Sequence, residues 1–90
     1  NRTVNELEMQ IPEVFAIVVT YNGANWIKKC LHSLLTSSIP VNVIIIDNCS
    51  TDNTLDIIEK SFNDIFVFKA PYNLGFGAAN NKGIEIALNK

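Results

Sequence analysis

Residues 14–20 read VFAIVVT, and residues 41–47 read VNVIIID. Neither run shows the regular alternation of apolar and polar residues that is typical of a strand with one face in water. Nearly continuous runs of β-branched residues are typical of strands covered on both faces, and such strands belong to parallel sheets. A shorter apolar run, IFVF, follows at residues 65–68. The sequence therefore predicts three strands of one parallel sheet.

Segments with helical periodicity follow each predicted strand. Their apolar residues recur every three or four positions, which places them on one face of a helix. The third helix is expected over residues 78–89. The residues expected to face inward are Ile27, Cys30, Leu31, Leu34 and Leu35 in the first helix, Leu55, Ile58 and Phe62 in the second, and Ala79, Ile84, Ala87 and Leu88 in the third.

The alternation of strands and helices predicts the fold class. Because connections between parallel strands are almost always right-handed, three such units wind into one sheet with helices on its faces. The predicted fold is α/β, a three-layer Rossmann-like βαβαβα arrangement with a parallel sheet. In a doubly wound sheet of order 3-2-1-4, a chain with only three strands leaves the first strand at an edge. Residues 1–13 show no clear period and are expected to form a lead-in arm before a domain at residues 14–90.

The composition limits the function. The chain has 90 residues, of which 48% are hydrophobic and 18% charged, and its formal net charge is −2. This balance is typical of one folded domain and excludes a disordered tail or a collagen-like fibre. Neutralising a nucleic-acid backbone needs clustered Lys and Arg, whereas the 7 basic residues here are scattered. We therefore expect no nucleic-acid partner.

The cysteines and the apolar runs indicate the compartment. Cys30 and Cys49 lie in unrelated segments, without the spacing of a zinc site, and two cysteines are few for a small secreted domain. No apolar run approaches the ~20 residues that span a bilayer, and the opening NRTVNELEMQ is too polar for a signal peptide. The predicted location is the reducing cytoplasm. The start at Asn1 suggests a piece of something longer.

Three loops follow the carboxyl ends of the predicted strands, at residues 20–23, 47–50 and 71–77. In an open parallel sheet this edge forms the ligand crevice, and helix N-termini there present free amides to anions. The loops offer an aromatic ring, a carboxylate, amide side chains and a glycine-lined backbone. These groups suit a nucleobase, a ribose and a phosphate.

The same residues also have purely structural explanations. Tyr21, taken alone, is more simply a strand-end tyrosine packed over the sheet edge. Asp47 and Asn48 are able to form an Asx turn, and for Asp52 a helix cap is the favoured interpretation. Cys49 has no His or second base within local sequence range, so it is not predicted to be a nucleophile.

The glycines at residues 75 and 77 form a GxG sequence. In a dinucleotide-binding fingerprint this sequence follows the first strand, whereas here it follows the third, so no NAD or FAD site is predicted. Unusual backbone angles at a helix entrance also explain glycine at these positions.

Three motifs resemble the opening motifs of glycosyltransferase family 2 enzymes, which have a GT-A fold. They are IVVTYN at residues 17–22, IIIDNCSTDNT at residues 44–54 and NLGFGAANNKGI at residues 73–84. The resemblance covers about residues 14–88, with the motifs in the family's order and spacing. It implies the N-terminal, nucleotide-binding half of such an enzyme. The loops look most like members that transfer rhamnose or related sugars in bacterial polysaccharide assembly.

The resemblance also implies roles for individual residues. Tyr21 corresponds to the residue that lies against the uracil or thymine ring of a UDP- or dTDP-sugar donor. Asn48 stands where the family usually has the second acid of a pair, and its side-chain carbonyl is able to accept a base N–H. Asn80 stands where many relatives carry Arg. The positions that the resemblance assigns to nucleotide-sugar binding are Thr20, Tyr21, Asn22, Asp47, Asn48, Asn73 and Gly75.

The resemblance places the remaining chemistry beyond Lys90. There the family has its Asp-x-Asp metal motif, its catalytic base and its acceptor site. The full-length enzyme is therefore expected to use a divalent cation, Mg or Mn, in an inverting transfer, and to work at the inner face of the membrane. We expect this chain alone to bind no metal, to contain no catalytic residue and to be inactive.

Two other functions remain open from the residues alone. One is a non-catalytic nucleotide- or protein-binding α/β module of receiver-like architecture. A receiver should have an acidic cluster after its first strand, whereas Thr20, Tyr21 and Asn22 stand there. The other is a remnant that only folds and associates. Residues 14–20 of the enzyme fragment form an apolar strand without charge or Pro, and we expect self-association through this edge unless residues 1–13 fold back over it.

Overall fold

The computed structural model describes residues 13–89, so the predicted lead-in arm lies outside the described residues except for Glu13. Strands and helices alternate throughout this range. No helix in it is long and apolar enough to cross a membrane. The elements are β1 (Phe15–Thr20), α1 (Ile27–Leu35), β2 (Asn42–Asp47), α2 (Thr54–Ser61), β3 (Phe66–Lys69) and α3 (Phe76–Leu88).

The three described strands form one parallel sheet with the order β1-β2-β3. Thr20 is in register with Asp47, and Asp47 is in register with Lys69, so the carboxyl ends of the strands lie at one edge. The predicted α/β fold class is confirmed. The predicted position of β1 at an edge of the described sheet is also confirmed.

The core consists of two apolar layers separated by β2. On one face, Val43 and Ile45 pack against residues of α1 and α2. On the other face, Ile44 and Ile46 pack against Ala79 of α3. Each isoleucine of β2 is at most 1% exposed, and burying a side chain of this size stabilises the fold by roughly 1.5–3 kcal/mol. Burial on both faces of the sheet thus explains the nearly continuous apolar pattern of residues 41–47, as predicted.

Helix α3 differs from its prediction in the face that it buries. Ala79 and Ala87 pack inward as predicted, but Ile84 is 47% exposed and Leu88 is 81% exposed. The residue at the closest approach is Gly83, where a Cβ would clash with Cγ2 of Ile17 in β1. Because a face of small residues lets the helix lie close to the sheet, α3 turns Ala79, Gly83 and Ala87 inward together with Ile86, and leaves Ile84 and Leu88 exposed.

Candidate functional site

The predicted site residues lie at the carboxyl edge of the sheet. The N–H of Asn48 donates to the carbonyl of Thr20 at 2.8 Å, and the N–H of Ala70 donates to the carbonyl of Asp47 at 2.9 Å. The loops after β1, β2 and β3 therefore leave the sheet side by side. The parallel topology brings the predicted residues together, as expected for this class of sheet.

Asp47 is bound by its own loop. Its side chain is buried, and Ser50 donates to it twice, from N–H to Oδ2 at 2.9 Å and from Oγ to Oδ1 at 2.6 Å. The same Ser50 Oγ accepts the N–H of Asn22 at 2.9 Å. Ser50 thus links the carboxylate at the end of β2 to the loop after β1. A hydroxyl three residues after a strand-end acid is a sequence signal for the local bonds between Ser50 and Asp47 but not for the contact with Asn22.

Asn22 makes a second connection between the same loops. Its side-chain Oδ1 accepts the N–H of Thr51 at 2.7 Å and the N–H of Asp52 at 3.2 Å. Its backbone has a φ of 51°, a left-handed conformation that Asn adopts more readily than most residues. Asn22 is thereby held at its backbone and its side chain, which fixes the position of its neighbour Tyr21.

Tyr21 and Thr20 have opposite exposures. The Tyr21 side chain is 50% exposed at the edge, whereas Thr20 is buried beneath Gly23 and the ring of Trp26. The Thr20 hydroxyl has no hydrogen-bond partner among the described residues. Of these two predicted residues, Tyr21 therefore offers the side-chain surface to a ligand.

Asn48 ties the end of β2 to the loop after β3. Its side chain is buried, its Oδ1 accepts the N–H of Leu74 at 2.9 Å, and its Nδ2 donates to the carbonyl of Gly75 at 3.2 Å. An ionised carboxylate has no donor for the second bond. The structure therefore explains why position 48 carries Asn rather than an acid: its side chain both accepts and donates a hydrogen bond. Its predicted contact with a nucleobase stays a prediction.

The third loop ends in a tight turn that starts α3. Asn73 Oδ1 accepts the N–H of Gly75 at 2.8 Å, and the carbonyl of Gly75 accepts the first helical hydrogen bond, from Ala79 at 3.1 Å. Gly75 has a φ of 82° and a ψ of 167°, a region open almost only to glycine. The structural explanation for this glycine is confirmed.

Asp52 supports the start of α2. Its carboxylate accepts hydrogen bonds from the N–H and the hydroxyl of Thr54, the first helical residue, and from the N–H of Ala24. The hydrogen bond from the Thr54 hydroxyl is the main cause that lowers the pKa of Asp52 below its usual value. The N-cap of α2 is Asn53, whose side chain makes no capping hydrogen bond, so the favoured interpretation of Asp52 as the cap is wrong. Asp52 lies one residue earlier, where it binds the start of the helix and adds a further link to the loop after β1.

The described residues contain no group of three or more His, Cys, Asp or Glu side chains that could hold a metal ion. Cys49 has a φ of 69°, and its Sγ lies 3.7 Å from the carbonyl of Pro71. The polar side chains that connect the loops at this edge are amides, hydroxyls and single carboxylates.

A parallel sheet with a connected loop edge defines a Rossmann-like α/β domain. The family described as glycosyl transferase family 2 matches residues 15–90. This chain therefore belongs to glycosyltransferase family 2, which confirms the resemblance found in its three motifs.

Individual relatives agree with this assignment. The chain is 40% identical over 83 residues to TuaG of Bacillus subtilis strain 168, described as a teichuronic acid biosynthesis glycosyltransferase, and the match covers 88% of this chain and 33% of TuaG. It is 33% identical over 82 residues to chondroitin synthase of Pasteurella multocida strain Pm70, covering 87% of this chain and 8% of that protein.

A solved structure shows the same fold. The crystal structure of Staphylococcus aureus TarS 1–349 matches with a TM-score of 0.73 and 34% identity, covering 82% of this chain and 24% of that chain. The architecture is thus that of the N-terminal part of a GT-A fold. The chain spans a third or less of the length of each relative named here.

Proposed function

We propose that this chain is the donor-binding part of a family 2 glycosyltransferase, and that its sheet edge holds the nucleotide of a UDP- or dTDP-sugar. In this proposal the sugar passes to an acceptor in polysaccharide or glycoconjugate synthesis. The names of the relatives TuaG and chondroitin synthase support that product class. One observation carries the proposal: the exposed Tyr21 stands on a loop that Asn22 and Ser50 fix to the neighbouring loop.

Tyr21 is proposed to bind the base by stacking. An aromatic ring that is already fixed loses little freedom on binding, and stacking of a base on such a ring contributes about 1–3 kcal/mol. The ring is 50% exposed, which leaves a face for the base. Asn22 and Ser50 act in this step by holding the loop.

The first turn of α3 is proposed to bind the diphosphate. This turn has no side-chain cap and no acidic residue, so its backbone N–H groups keep their capacity to bind an anion. Asn73 and Gly75 shape the entrance to the turn. Asp47 and Asn48 are proposed to fix the surrounding loops, since their polar atoms are engaged by Ser50, Leu74 and Gly75.

The transfer step is not assigned to residues 13–89. Inverting transfer needs a base that deprotonates the acceptor hydroxyl and a divalent cation, Mg²⁺ or Mn²⁺, that neutralises the leaving diphosphate. The described residues do not offer a ligand set for that ion. We propose that the chain alone binds the donor nucleotide without transferring sugar, and that the longer enzyme works in the cytoplasm at the inner membrane face.

Calorimetric titration of the 90-residue chain with UDP and with dTDP tests the proposal. We expect binding with a Kd of about 1 mM or tighter, weakened about tenfold by Tyr21→Ala, the equivalent of about 1.4 kcal/mol. Leu35→Ala is the control, because Leu35 is 48% exposed and lines a cleft at the opposite, amino-terminal edge of the strands. Absence of binding, or equal weakening by both variants, would contradict the proposal. Detectable sugar transfer by the purified chain would contradict its inactivity.

A further inference from the structure

Asn22 is followed by Gly23, and this is the only Asn-Gly pair in the 90 residues. In such a pair the backbone nitrogen of the glycine attacks the side-chain carbon Cγ of the asparagine, because glycine has no Cβ to hinder the approach. The new Cγ–N bond closes a five-membered succinimide ring. The Cγ–Nδ2 bond breaks, and Nδ2 leaves as ammonia with the proton of the glycine N–H. Water then opens the ring to aspartate or isoaspartate.

The atoms that react are present and unengaged. Neither the Gly23 N–H, which supplies the attacking nitrogen, nor the Asn22 Nδ2, which leaves, donates a hydrogen bond within residues 13–89. The Asn22 side chain is exposed, so water reaches it for the second step. The local chemistry therefore permits the reaction, and the conformation of the loop decides its rate.

The folded loop holds the Asn22 side chain away from Gly23. Its Oδ1 accepts the N–H groups of Thr51 and Asp52, at 2.7 and 3.2 Å, which directs the side chain towards the loop after β2. The Asn22 N–H donates to Ser50 Oγ at 2.9 Å. Ring closure requires the side chain to turn back towards its own backbone, and these hydrogen bonds oppose that turn.

Gly23 is fixed as firmly as Asn22. Its carbonyl accepts the N–H groups of Trp26 and Ile27, at 3.0 and 2.9 Å, where the chain enters α1. It is buried, and a Cβ at this position would clash with Thr20 Oγ1 and with the ring of Trp26. The peptide that joins Asn22 to Gly23 therefore cannot rotate into the ring-closing geometry while the loop is packed.

We propose that Asn22 is a site of spontaneous deamidation, and that the contact between the loops after β1 and β2 gates the reaction. With the loops joined, the ring does not close. When the loop after β1 opens locally, Asn22 and Gly23 react as they do in an unfolded segment. The observed rate is then the rate of the unfolded segment multiplied by the fraction of molecules with an open loop.

The two products have different consequences for the loop. Aspartate at position 22 keeps an oxygen that accepts the N–H groups of Thr51 and Asp52. Isoaspartate carries the backbone through the side-chain methylene, which lengthens the chain before the buried Gly23. Isoaspartate is therefore the product that displaces Gly23 and releases the loop that carries Tyr21.

Peptide mapping by mass spectrometry tests the proposal, after the full 90-residue chain and a peptide of residues 17–27 have aged together at mildly alkaline pH. We expect replacement of NH₂ by OH at Asn22 in both, at least about tenfold more slowly in the folded chain, because a minor open state is populated at about 10% or less. Asn25, which is exposed and followed by Trp26, is the internal control and should stay intact. Equal rates in chain and peptide, or modification at Asn25 but not at Asn22, would overturn the proposal.

Two variants separate opening of the loop from unfolding of the whole chain. Ser50→Ala removes the oxygen that accepts the Asn22 N–H, and we expect deamidation of the folded chain to be about fivefold faster, because loss of one hydrogen bond raises the open fraction by about that factor. Ile44→Val is the control. It shortens a buried core residue outside the loop and should leave the rate within about twofold. Equal acceleration by both variants, or none by Ser50→Ala, would contradict gating by the joined loops.

Discussion

Strands β1 and β2 have the same kind of sequence and different surroundings. Both are continuous β-branched runs, and the sequence predicts burial on both faces for each. In β2 the five residues from Val43 to Asp47 are all buried, whereas in β1 only Thr20 is buried and the other five are partly exposed. The difference arises because, within residues 13–89, β2 has a strand on each side and β1 has a strand on one side.

The comparison of β1 with β2 shows that the sequence of a strand predicts burial above and below the sheet but does not predict how many strands lie beside it. The β-branched pattern specifies a strand covered above and below, and α1 and α3 supply most of that cover for β1 as well. What β1 lacks, within the described residues, is a neighbouring strand on its second side. A sequence suited to the centre of a sheet thus stands at an edge of the described sheet.

The largest expected effect compares Ile44 of β2 with its register partner Ile17 of β1. Both side chains face α3. Ile44→Ala should lower the free energy of unfolding by about 4 kcal/mol and Ile17→Ala by about 2, because truncation costs more where burial is complete. Urea unfolding of the two variants at low protein concentration measures the difference. Equal losses would mean that β1 is as enclosed as β2, contrary to the structure.

The contact of α3 with β1 is tested by Gly83→Ala. The added methyl group meets the branched side chain of Ile17, so we expect a loss of about 3 kcal/mol, at the upper end for overpacking. Gly77→Ala is the matched control on the same helix, because a Cβ there meets nothing within 4 Å. It should leave stability unchanged or raise it by about 0.5 kcal/mol. If the two variants unfolded alike, the close approach of α3 to β1 would be wrong.

The link from β2 to the third loop is tested by Asn48→Asp. The substitution removes the donor to the Gly75 carbonyl and places an anion beside it. We expect a loss of about 2 kcal/mol, within the range for a buried polar group left without its partner. Asn25→Asp makes the same change of charge at an exposed residue and should be nearly neutral. Thermal unfolding of both variants gives the comparison, and a neutral Asn48→Asp would mean that this bond does not hold the loop.

The smallest effect concerns the link between the loops after β1 and β2 made by Asp52. Because the hydrogen bond from Thr54 lowers the pKa of Asp52 below its ordinary value of 3.8 in the folded protein, the stability that Asp52 contributes is fully present above that pH. This contribution is lost as the pH falls through the lowered pKa. Unfolding measured between neutral pH and the acid limb should therefore show a steeper loss for the wild type than for Asp52→Asn. Identical pH profiles would contradict the assigned hydrogen bonds.

Much of the fold follows from the sequence alone. The order of elements, the parallel sheet and the edge position of β1 were predictable because β-branched runs and helical periodicity are local signals. The inward face of α3 was not, because Ile84 and Leu88 fit an apolar stripe as well as Ala79 and Gly83 do. Only the approach of the helix to Ile17 decides between the two faces.

The position of the site was predictable from the sequence, whereas the hydrogen bonds that connect its loops were less predictable. That the loops after the strands share one edge follows from parallel topology. The amide of Asn48 and the hydroxyl of Ser50 act across loops that are far apart in sequence, 26 to 28 residues from their partners. No local sequence pattern predicts hydrogen bonds between residues so far apart in the chain. The hydrogen bonds between Asp52 and Thr54, by contrast, span two residues, and a polar side chain that binds the start of this helix was predictable.

Backbone amide chemical shifts measured during a titration with UDP show directly which edge of the sheet binds the nucleotide. We expect the largest changes in the loop around Tyr21, at Asp47 and Asn48, and in the turn from Asn73 into the start of α3. The amides at the opposite edge, near Leu35 and Phe66, should stay unchanged. Changes confined to that opposite edge, or no change at saturating nucleotide, would contradict the claim that the carboxyl edge of the sheet holds the donor.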